Sequence, residues 1–330
     1  MPQPEGCGIG GGSCRALQGA VDHKVMSILI DADSRIIVQG ITGREAVSFT
    51  RDTLDYGAKV VGGVTPGRGG RDVAGVPVFD TVHQVTEGQR VDVSVLAVPA
   101  PALRDAAFEA IEAGVPLLVI LTERVPRRDV VRVLELAEMR GARVVGPNSM
   151  GILVPGRCKA GPIGGPKEDA AKAYAPGPVG IMSRSGGMTT EIANLLSQRG
   201  FGQSTAVSMG GDPIIGSTFA ELMPLWEADA ETRALVIFGE PGGGQEAQLA
   251  RYLREHGTRL PIVAFIAGGF MEEMPGLRFG HAGSIVEGKA DTAAAKAGAL
   301  REAGVLVAED LSDISSLLAQ ALDSGHSNAK

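Results

Sequence analysis

The sequence predicts an α/β protein made of two consecutive domains, each built around a parallel sheet. Short apolar runs bounded by glycine alternate with longer segments whose apolar residues recur at helical spacing. This alternation runs from Ser34 to about Leu322, and each half of it supplies enough strands for a doubly wound sheet. The 47 glycines among 330 residues fit many strand-to-helix turns that bring the backbone close to a ligand.

The first domain is assigned to residues 26–154. Its apolar runs predict strands at 36–39, 58–62, 91–98, 116–122 and 143–145. Periodic segments between them predict helices at 45–56, 101–113 and 126–140. Residues 1–25 are rich in glycine and have no periodic pattern, so we expect a disordered N-terminal extension, with Met26 as a candidate natural start.

The second domain is assigned to residues 179–330. Residues 155–178 carry several prolines and glycines, which predicts a connecting segment between the domains. The strands predicted after it are 179–182, 203–208, 234–238, 262–267 and 305–307. The helices are predicted at 188–199, 217–228, 245–256, 292–303 and 311–322.

Composition narrows the classes of function. The formal net charge of -7 argues against a nucleic-acid surface, which needs a basic face. Apolar runs long enough to span a bilayer do not occur, so we expect no membrane insertion. The three cysteines, Cys7, Cys14 and Cys158, suggest neither a disulfide framework nor a metal site, and a reducing cytoplasm is the expected compartment.

The turn after the first strand, residues 40–45, resembles a nucleotide-binding turn. It lacks the spacing of the dinucleotide fingerprint, and no acidic residue closes the second strand to bind a ribose. A helix N-terminus with the hydroxyl of Thr42 and the guanidinium of Arg44 suits a phosphate instead. Arg68, in a glycine-rich loop, offers a second cation, although a plain surface turn is the favoured explanation of that loop when it is taken alone.

Three segments of the second half follow apolar runs and are expected at one edge of the sheet. The segment 183–187 is expected to hold a phosphoryl group on successive amides, and its residues are Ser183, Arg184, Ser185, Gly186 and Gly187. A structural need for a tight turn is the alternative. His281 between two glycines is the candidate nucleophile, with Glu240 fixing its tautomer through Nδ1; the alternative is a histidine satisfied in a loop or core.

At the level of whole motifs, the chain resembles the alpha subunit of succinyl-CoA synthetase (succinate–CoA ligase). The shared motifs are MSILID (26–31), QGITG (39–43), VGGVTPG (61–67), GPN (146–148), SRSG (183–186), GFGQST (200–205), GGDP (210–213) and GHAG (280–283). The resemblance implies a Rossmann-like CoA-binding domain followed by a flavodoxin-like parallel α/β domain that carries a phosphohistidine.

The resemblance also implies roles for individual residues. His281 is the residue that is phosphorylated, and Glu240 is its partner. Arg68 stands where the family usually has lysine, which keeps the charge but changes its geometry. The implied contacts to coenzyme A are Thr42, Gly43, Arg44, Glu45, Arg68, Leu121, Thr122 and Glu123.

The implied reaction has three steps: ATP or GTP phosphorylates His281, a carboxylic acid takes the phosphoryl group, and the CoA thiol displaces it. The chain contains no P-loop run, so the resemblance implies a partner, a beta subunit with the ATP-grasp fold that mainly binds the nucleotide and magnesium. The assembly would be a heterodimer or a heterotetramer.

The choice of acid is where this sequence departs from the family. Residues 183–191 spell SRSGGMTTE in place of the usual SRSGTLTYE, so Thr190 replaces a tyrosine near the acid site. The spellings SRSGGM and FGHAG are similar to ATP-citrate lyase, and malate–CoA ligases share the same frame. A ligase for malate or citrate, and a non-catalytic CoA-binding regulator, are therefore alternatives. An NAD-dependent dehydrogenase rests on fold analogy and is opposed by the missing acidic residue.

Overall fold

The N-terminal half of the described chain forms the first sheet and its helices. The computed structural model describes residues 27–269, 281 and 291–327, so the predicted extension at 1–25 lies outside the described residues. The strands of this sheet are β1 (Arg35–Gln39), β2 (Lys59–Val64), β3 (Asp72–Val73), β4 (Val76–Phe79), β5 (Val93–Leu96), β6 (Leu117–Ile120) and β7 (Arg143–Val145). Its helices are α1 (Arg44–Asp55), α2 (Val82–Thr86), α3 (Ala100–Glu112) and α4 (Arg127–Arg140).

The order of this sheet is β3-β4-β2-β1-β5-β6-β7, and all its neighbours pair in parallel except β3 with β4. The five predicted strands and three predicted helices of the first half are present, with ends shifted by a few residues. Strands β3 and β4 and the one-turn helix α2 were not predicted. They are short, and the glycine-rich residues before them hide their pattern.

The second sheet follows directly. Its strands are β8 (Gly151–Val154), β9 (Cys158–Ala160), β10 (Pro176–Ser183), β11 (Gln203–Ser208), β12 (Ala234–Gly239), β13 (Ile262–Ile266) and β14 (Leu306–Ala308). Its helices are α5 (Lys167–Ala173), α6 (Gly186–Gln198), α7 (Phe219–Ala228), α8 (Gln245–His256), α9 (Ala293–Glu302) and α10 (Ile314–Ser327), with a 3₁₀ turn at Leu311–Asp313. The order is β14-β13-β12-β10-β11-β8-β9, and the five strands from β14 to β11 are parallel.

The segment 155–178 is more regular than the sequence predicts. It contains β9 and α5, and β8 and β9 extend the second sheet by antiparallel pairing. Gly151 and Gly161, which have φ of 107° and 110°, lie at the ends of these two strands, where the strands approach too closely for a side chain. At Gly151 and Gly161, glycine therefore reflects close packing of the two strands and not an irregular connecting segment. The division into domains at 154 and 179 stays a prediction.

The two sheets meet through backbone contacts near β7. The amide of Gly146 donates to the carbonyl of Met209 at 3.1 Å, and the amide of Gly216 donates to the carbonyl of Gly146 at 2.8 Å. The hydroxyl of Ser217 donates to the carbonyl of Val144 at 2.7 Å. These bonds place the loop after β11 against the carboxyl end of the first sheet. Within the described ranges, no helix has the length and apolar character needed to cross a bilayer.

Candidate active site

The predicted pair of His281 and Glu240 is in contact. Glu240 directly follows β12, and Nδ1 of His281 lies 3.0 Å from Oε1 and 2.9 Å from Oε2 of that carboxylate. The hydrogen bond to Glu240 raises the pKa of His281 above its ordinary value, and partial burial of the ring opposes the rise. When the Nδ1–H group donates a hydrogen bond to the carboxylate, the neutral ring has its free lone pair on Nε2. The arrangement therefore suits a histidine that acts as a nucleophile.

The loop after β11 also packs against this ring. A Cβ atom on Gly211 would lie 2.5 Å from Cδ2 of His281 and 2.9 Å from Nδ1, so the ring rests on bare backbone. The next residue, Asp212, is buried, and its Oδ1 accepts a hydrogen bond from Nδ2 of Asn148 at 3.1 Å. Burial raises the pKa of Asp212, and the bond from Asn148 partly offsets that rise. Neither contact was predicted from the sequence.

The segment 183–187 forms the end of β10 and the first turn of α6. The hydroxyl of Ser183 donates to the carbonyl of Ser185 at 2.7 Å, and the hydroxyl of Ser185 caps the helix by accepting the amide of Met188 at 3.4 Å. The amides of Gly186 and Gly187 have no acceptor within the described residues. Two amides at a helix N-terminus suit a phosphoryl group, so this part of the predicted cradle has suitable geometry.

Arg184 has a different position from the one expected of a cradle residue. Its amide donates to the carbonyl of Phe238 at 3.2 Å, and its side chain is buried behind the turn at 240–242. There, Nη1 donates to the carbonyls of Glu240 and Gly242 at 2.8 Å each and lies 3.4 Å from Oε1 of Glu246. Arg184 therefore contacts the back of the Glu240 turn. Glu246 and Lys296, which complete this buried group, were missed in the sequence.

A cavity of about 810 Å³ lies at the carboxyl edge of the first sheet and reaches Ser149 and Met150, which directly precede β8. Six of the eight predicted CoA contacts line it: Gly43, Arg44, Glu45, Leu121, Thr122 and Glu123. Thr42 and Arg68 are not among its lining residues. The hydroxyl of Thr42 contacts that of Thr65 at 3.3 Å, and Arg68 lies in an exposed loop whose amides bind Asp80.

Further lining residues come from two places that the motifs do not cover. Ser48, Phe49 and Asp52 follow at helical spacing on α1, the helix that begins at the predicted turn. Met150 closes the other side, and a Cβ atom on Gly186 would overlap its side chain. The cavity and the first turn of α6 therefore share a wall.

Thr190, the predicted substrate residue, is half-buried on the second turn of α6. Its hydroxyl lies 2.9 Å from the hydroxyl of Tyr174, which follows α5. Tyr174 is buried, and burial raises the pKa of its phenol. The hydroxyl of Tyr174 is thus held beside Thr190, the position where the family motif usually has a tyrosine.

The comparisons with known proteins agree with this geometry. Residues 31–124 match the CoA binding domain model, and residues 182–306 match the CoA-ligase model. The succinate–CoA ligase [ADP-forming] subunit alpha 1 of Archaeoglobus fulgidus is 43% identical over 289 residues, which cover 88% of this chain and 96% of the relative. The chain belongs to the succinate–CoA ligase alpha-subunit family. The predicted family, the α/β fold class and the CoA-ligase class of enzyme are thereby confirmed.

Other members and structures extend the comparison. The alpha subunit of Methanothermobacter thermautotrophicus is 43% identical over 282 residues, covering 86% of this chain and 92% of the relative. The structure of ATP citrate lyase from Methanothrix soehngenii, in complex with citrate and coenzyme A, has a TM-score of 0.84 at 25% identity. It covers 91% of this chain, which spans about half (51%) of that longer protein. A dinucleotide forming acetyl-coenzyme A synthetase from Ca. Korarchaeum cryptofilum shares the fold, with a TM-score of 0.68 at 23% identity and coverage of 88% and 61%.

Proposed function

We propose that this chain is the alpha subunit of a succinate–CoA ligase, which forms succinyl-CoA reversibly from succinate, coenzyme A and ATP or GTP. The observation that carries the proposal is the contact of both carboxylate oxygens of Glu240 with Nδ1 of His281. That contact leaves Nε2 as the nucleophilic nitrogen. Relatives at 41–43% identity with this family name support the choice of acid.

In the first step, the Nε2 lone pair attacks the γ-phosphorus of the nucleotide. The bond from that phosphorus to the β-γ bridging oxygen breaks, and the nucleoside diphosphate leaves. The positive charge that develops on the imidazole is stabilised by Glu240, because the carboxylate accepts the Nδ1 proton in a charge-assisted hydrogen bond. The amides of Gly186 and Gly187 are the candidate donors to the transferred phosphoryl oxygens.

In the second step, a carboxylate oxygen of succinate attacks the phosphorus, and the N–P bond breaks to give an acyl phosphate and neutral histidine. In the third step, the thiol of coenzyme A attacks the acyl carbon, phosphate leaves, and the thiol proton passes to phosphate or solvent. The shared wall at Met150 supports transfer of the acyl group to coenzyme A, because it brings the cavity assigned to coenzyme A next to the α6 amides.

Coenzyme A is assigned to the cavity of the first sheet. Gly43, Arg44 and Glu45 form the beginning of α1, where the helix dipole and amides favour phosphate oxygens. The lining from Leu121 to Glu123 would contact the rest of the cofactor. Thr42 and Arg68 remain proposed contacts from the same sheet edge, although neither lines the cavity.

The first step needs a nucleotide site, and we assign that site to a beta subunit with the ATP-grasp fold, which would also bind the magnesium ion. Among the described residues, no group of three or more His, Cys, Asp or Glu side chains is placed to hold a metal. Alpha and beta chains would form a heterodimer or heterotetramer. The sparse cysteines support a cytoplasmic location.

Ligation of citrate or malate is the second candidate. The TM-score of 0.84 to ATP citrate lyase and the threonine at 190 favour it. The decisive experiment incubates the purified alpha and beta chains with coenzyme A, succinate, malate or citrate, and ATP or GTP, and measures thioester by mass spectrometry. Succinyl-CoA with either nucleotide is expected. Citryl-CoA or malyl-CoA alone would overturn the choice of acid, and CoA binding without any thioester would favour a regulator.

A control within the same experiment tests the histidine. The α–β complex is mixed with γ-labelled ATP in the absence of acid and coenzyme A. We expect an acid-labile label on the alpha chain that is lost in His281→Ala. A chain that never takes up label, or a variant that still does, would refute the phosphohistidine. Light scattering on the same sample distinguishes a heterodimer from a heterotetramer.

A further inference from the structure

A buried cluster of three charged side chains lies behind the turn that carries Glu240. It is formed by Arg184, Glu246 and Lys296, whose side chains are 2%, 0% and 1% exposed. Oε1 of Glu246 lies 3.4 Å from Nη1 of Arg184, and Oε2 accepts from Nζ of Lys296 at 2.7 Å. Arg184 directly follows β10, and the other two residues lie in the first turns of α8 and α9. We call them the buried charge cluster.

The cluster holds the backbone on both sides of the Glu240 side chain. Nη1 of Arg184 and Nζ of Lys296 each donate to the carbonyl of Glu240 at 2.8 Å, and both also donate to the carbonyl of Gly242. The amide of Glu240 donates to Oε1 of Glu246 at 3.2 Å. Every backbone polar group of Glu240 is therefore bonded to the cluster, which sets where its carboxylate meets His281.

A contribution to folding stability does not by itself explain why three charged side chains are buried here. Burying ionised groups carries a desolvation cost that well-packed apolar residues of similar volume would avoid. Burial accordingly lowers the pKa of Lys296. The cluster has two cations and one carboxylate. Further carboxylates act nearby, because Asp291 favours the charged form of Lys296, and Glu240 and Asp212 favour protonation of His281. The positive charge of Arg184 acts against protonation of that histidine.

We propose that the buried charge cluster is a positioning unit for the phosphohistidine. It fixes the Glu240 turn, and the positive charges of Arg184 and Lys296 oppose the nearby carboxylates, which favours the neutral, nucleophilic imidazole and offsets the charge of the phosphoryl group. The inference rests on the proposed phosphohistidine function and deepens it. Arg184, Glu246 and Lys296 act through Glu240 and the local field, without touching the substrate.

Two variants that change the charge of the cluster in opposite directions test the proposal. Lys296→Met removes a positive charge, and Glu246→Gln removes the negative charge, while both disturb the same buried hydrogen bonds. The assay is the rate of His281 labelling by γ-labelled ATP in the α–β complex, measured from pH 5 to pH 9. The midpoint of this profile reports protonation of Nε2, because the protonated ring is not a nucleophile.

We expect the midpoint to rise in Lys296→Met and to fall in Glu246→Gln, each by about half a pH unit or more, as expected for one charge near the site at an effective dielectric constant of about 20. Lys296→Arg, which keeps the charge, should retain the wild-type midpoint. Lys159→Met is the matched control, because Lys159 is also a buried lysine but donates to the carbonyl of Gly165 instead. It should label with the wild-type profile.

Midpoints that move in the same direction, or do not move, would overturn the charge role and leave a structural cluster. If Lys296→Met does not assemble with the beta chain, Glu246→Gln and Lys296→Arg still decide the question, since they predict a lowered and an unchanged midpoint. An unlabelled wild-type complex would refute the phosphohistidine itself, and this inference with it.

Discussion

Gly211 is the position where one added carbon should slow phosphorylation of His281 strongly. A Cβ atom there would lie 2.5 Å from Cδ2 of His281, and an ordinary contact begins at about 3.4 Å, so the ring must retreat by about 1 Å. That movement would displace Nδ1 from its present position, 2.9–3.0 Å from the two carboxylate oxygens of Glu240. A misplacement of about 1 Å costs on the order of a hundredfold in rate. We therefore expect Gly211→Ala to label His281 about a hundredfold more slowly.

The assay compares initial rates of labelling by γ-labelled ATP in the α–β complex, together with the thermal unfolding temperature. Gly211 does not have a positive φ, so alanine fits the backbone and the fold should survive. Gly298→Ala in α9 is the matched control, because its Cβ atom would have no neighbour within 4 Å. Removing a helix glycine should stabilise the control by up to about 1 kcal/mol and leave labelling unchanged. Wild-type labelling by Gly211→Ala would refute the reasoning that the ring needs bare backbone beneath it.

Three further outcomes are expected. Glu240→Gln removes the carboxylate that raises the pKa of His281, so the pH below which labelling declines should shift downward; an unchanged pH profile would contradict this. Arg44→Ala should weaken coenzyme A binding, measured calorimetrically, by about tenfold or about 1.4 kcal/mol, while Arg68→Ala should have a smaller effect because Arg68 does not line the cavity. Cys158 should resist iodoacetamide in the native protein, since burial raises its pKa to about 12, and react after denaturation; mass spectrometry of the alkylated peptide distinguishes the two.

The parallel strands and helices at the core of the fold were predictable because each is encoded by a pattern within its own short stretch of sequence. Buried parallel strands are continuous apolar runs, and the helices between them repeat their apolar residues every three to four positions. The predicted bounds of β7, β11 and α8 match the structure. Strands β8 and β9 were not predicted, because antiparallel pairing added at the side of the sheet depends on partners that are distant in sequence.

The contact of His281 with Glu240 was predictable from topology. Strands β10, β12 and β13 are neighbours and parallel, so the residues after their carboxyl ends meet at one edge. The place of Arg184 was not predictable in this way. A motif shows that an arginine follows the strand, but its guanidinium turns inward because Glu246 and two carbonyls lie there. Side-chain direction depends on these partners, which no motif includes.

The missed residues carried a signal of another kind. Lys296 lies in an alanine-rich stretch of α9, and Glu246 lies in the buried first turn of α8, so each is a charge on a face that packing should make apolar. Charged groups are rarely fully buried unless they are paired. Two opposite charges on the buried faces of neighbouring helices are therefore expected to form a pair. Both side chains bind the turn at 240–242, so charges on the buried faces of these helices indicate where the Glu240 turn is held.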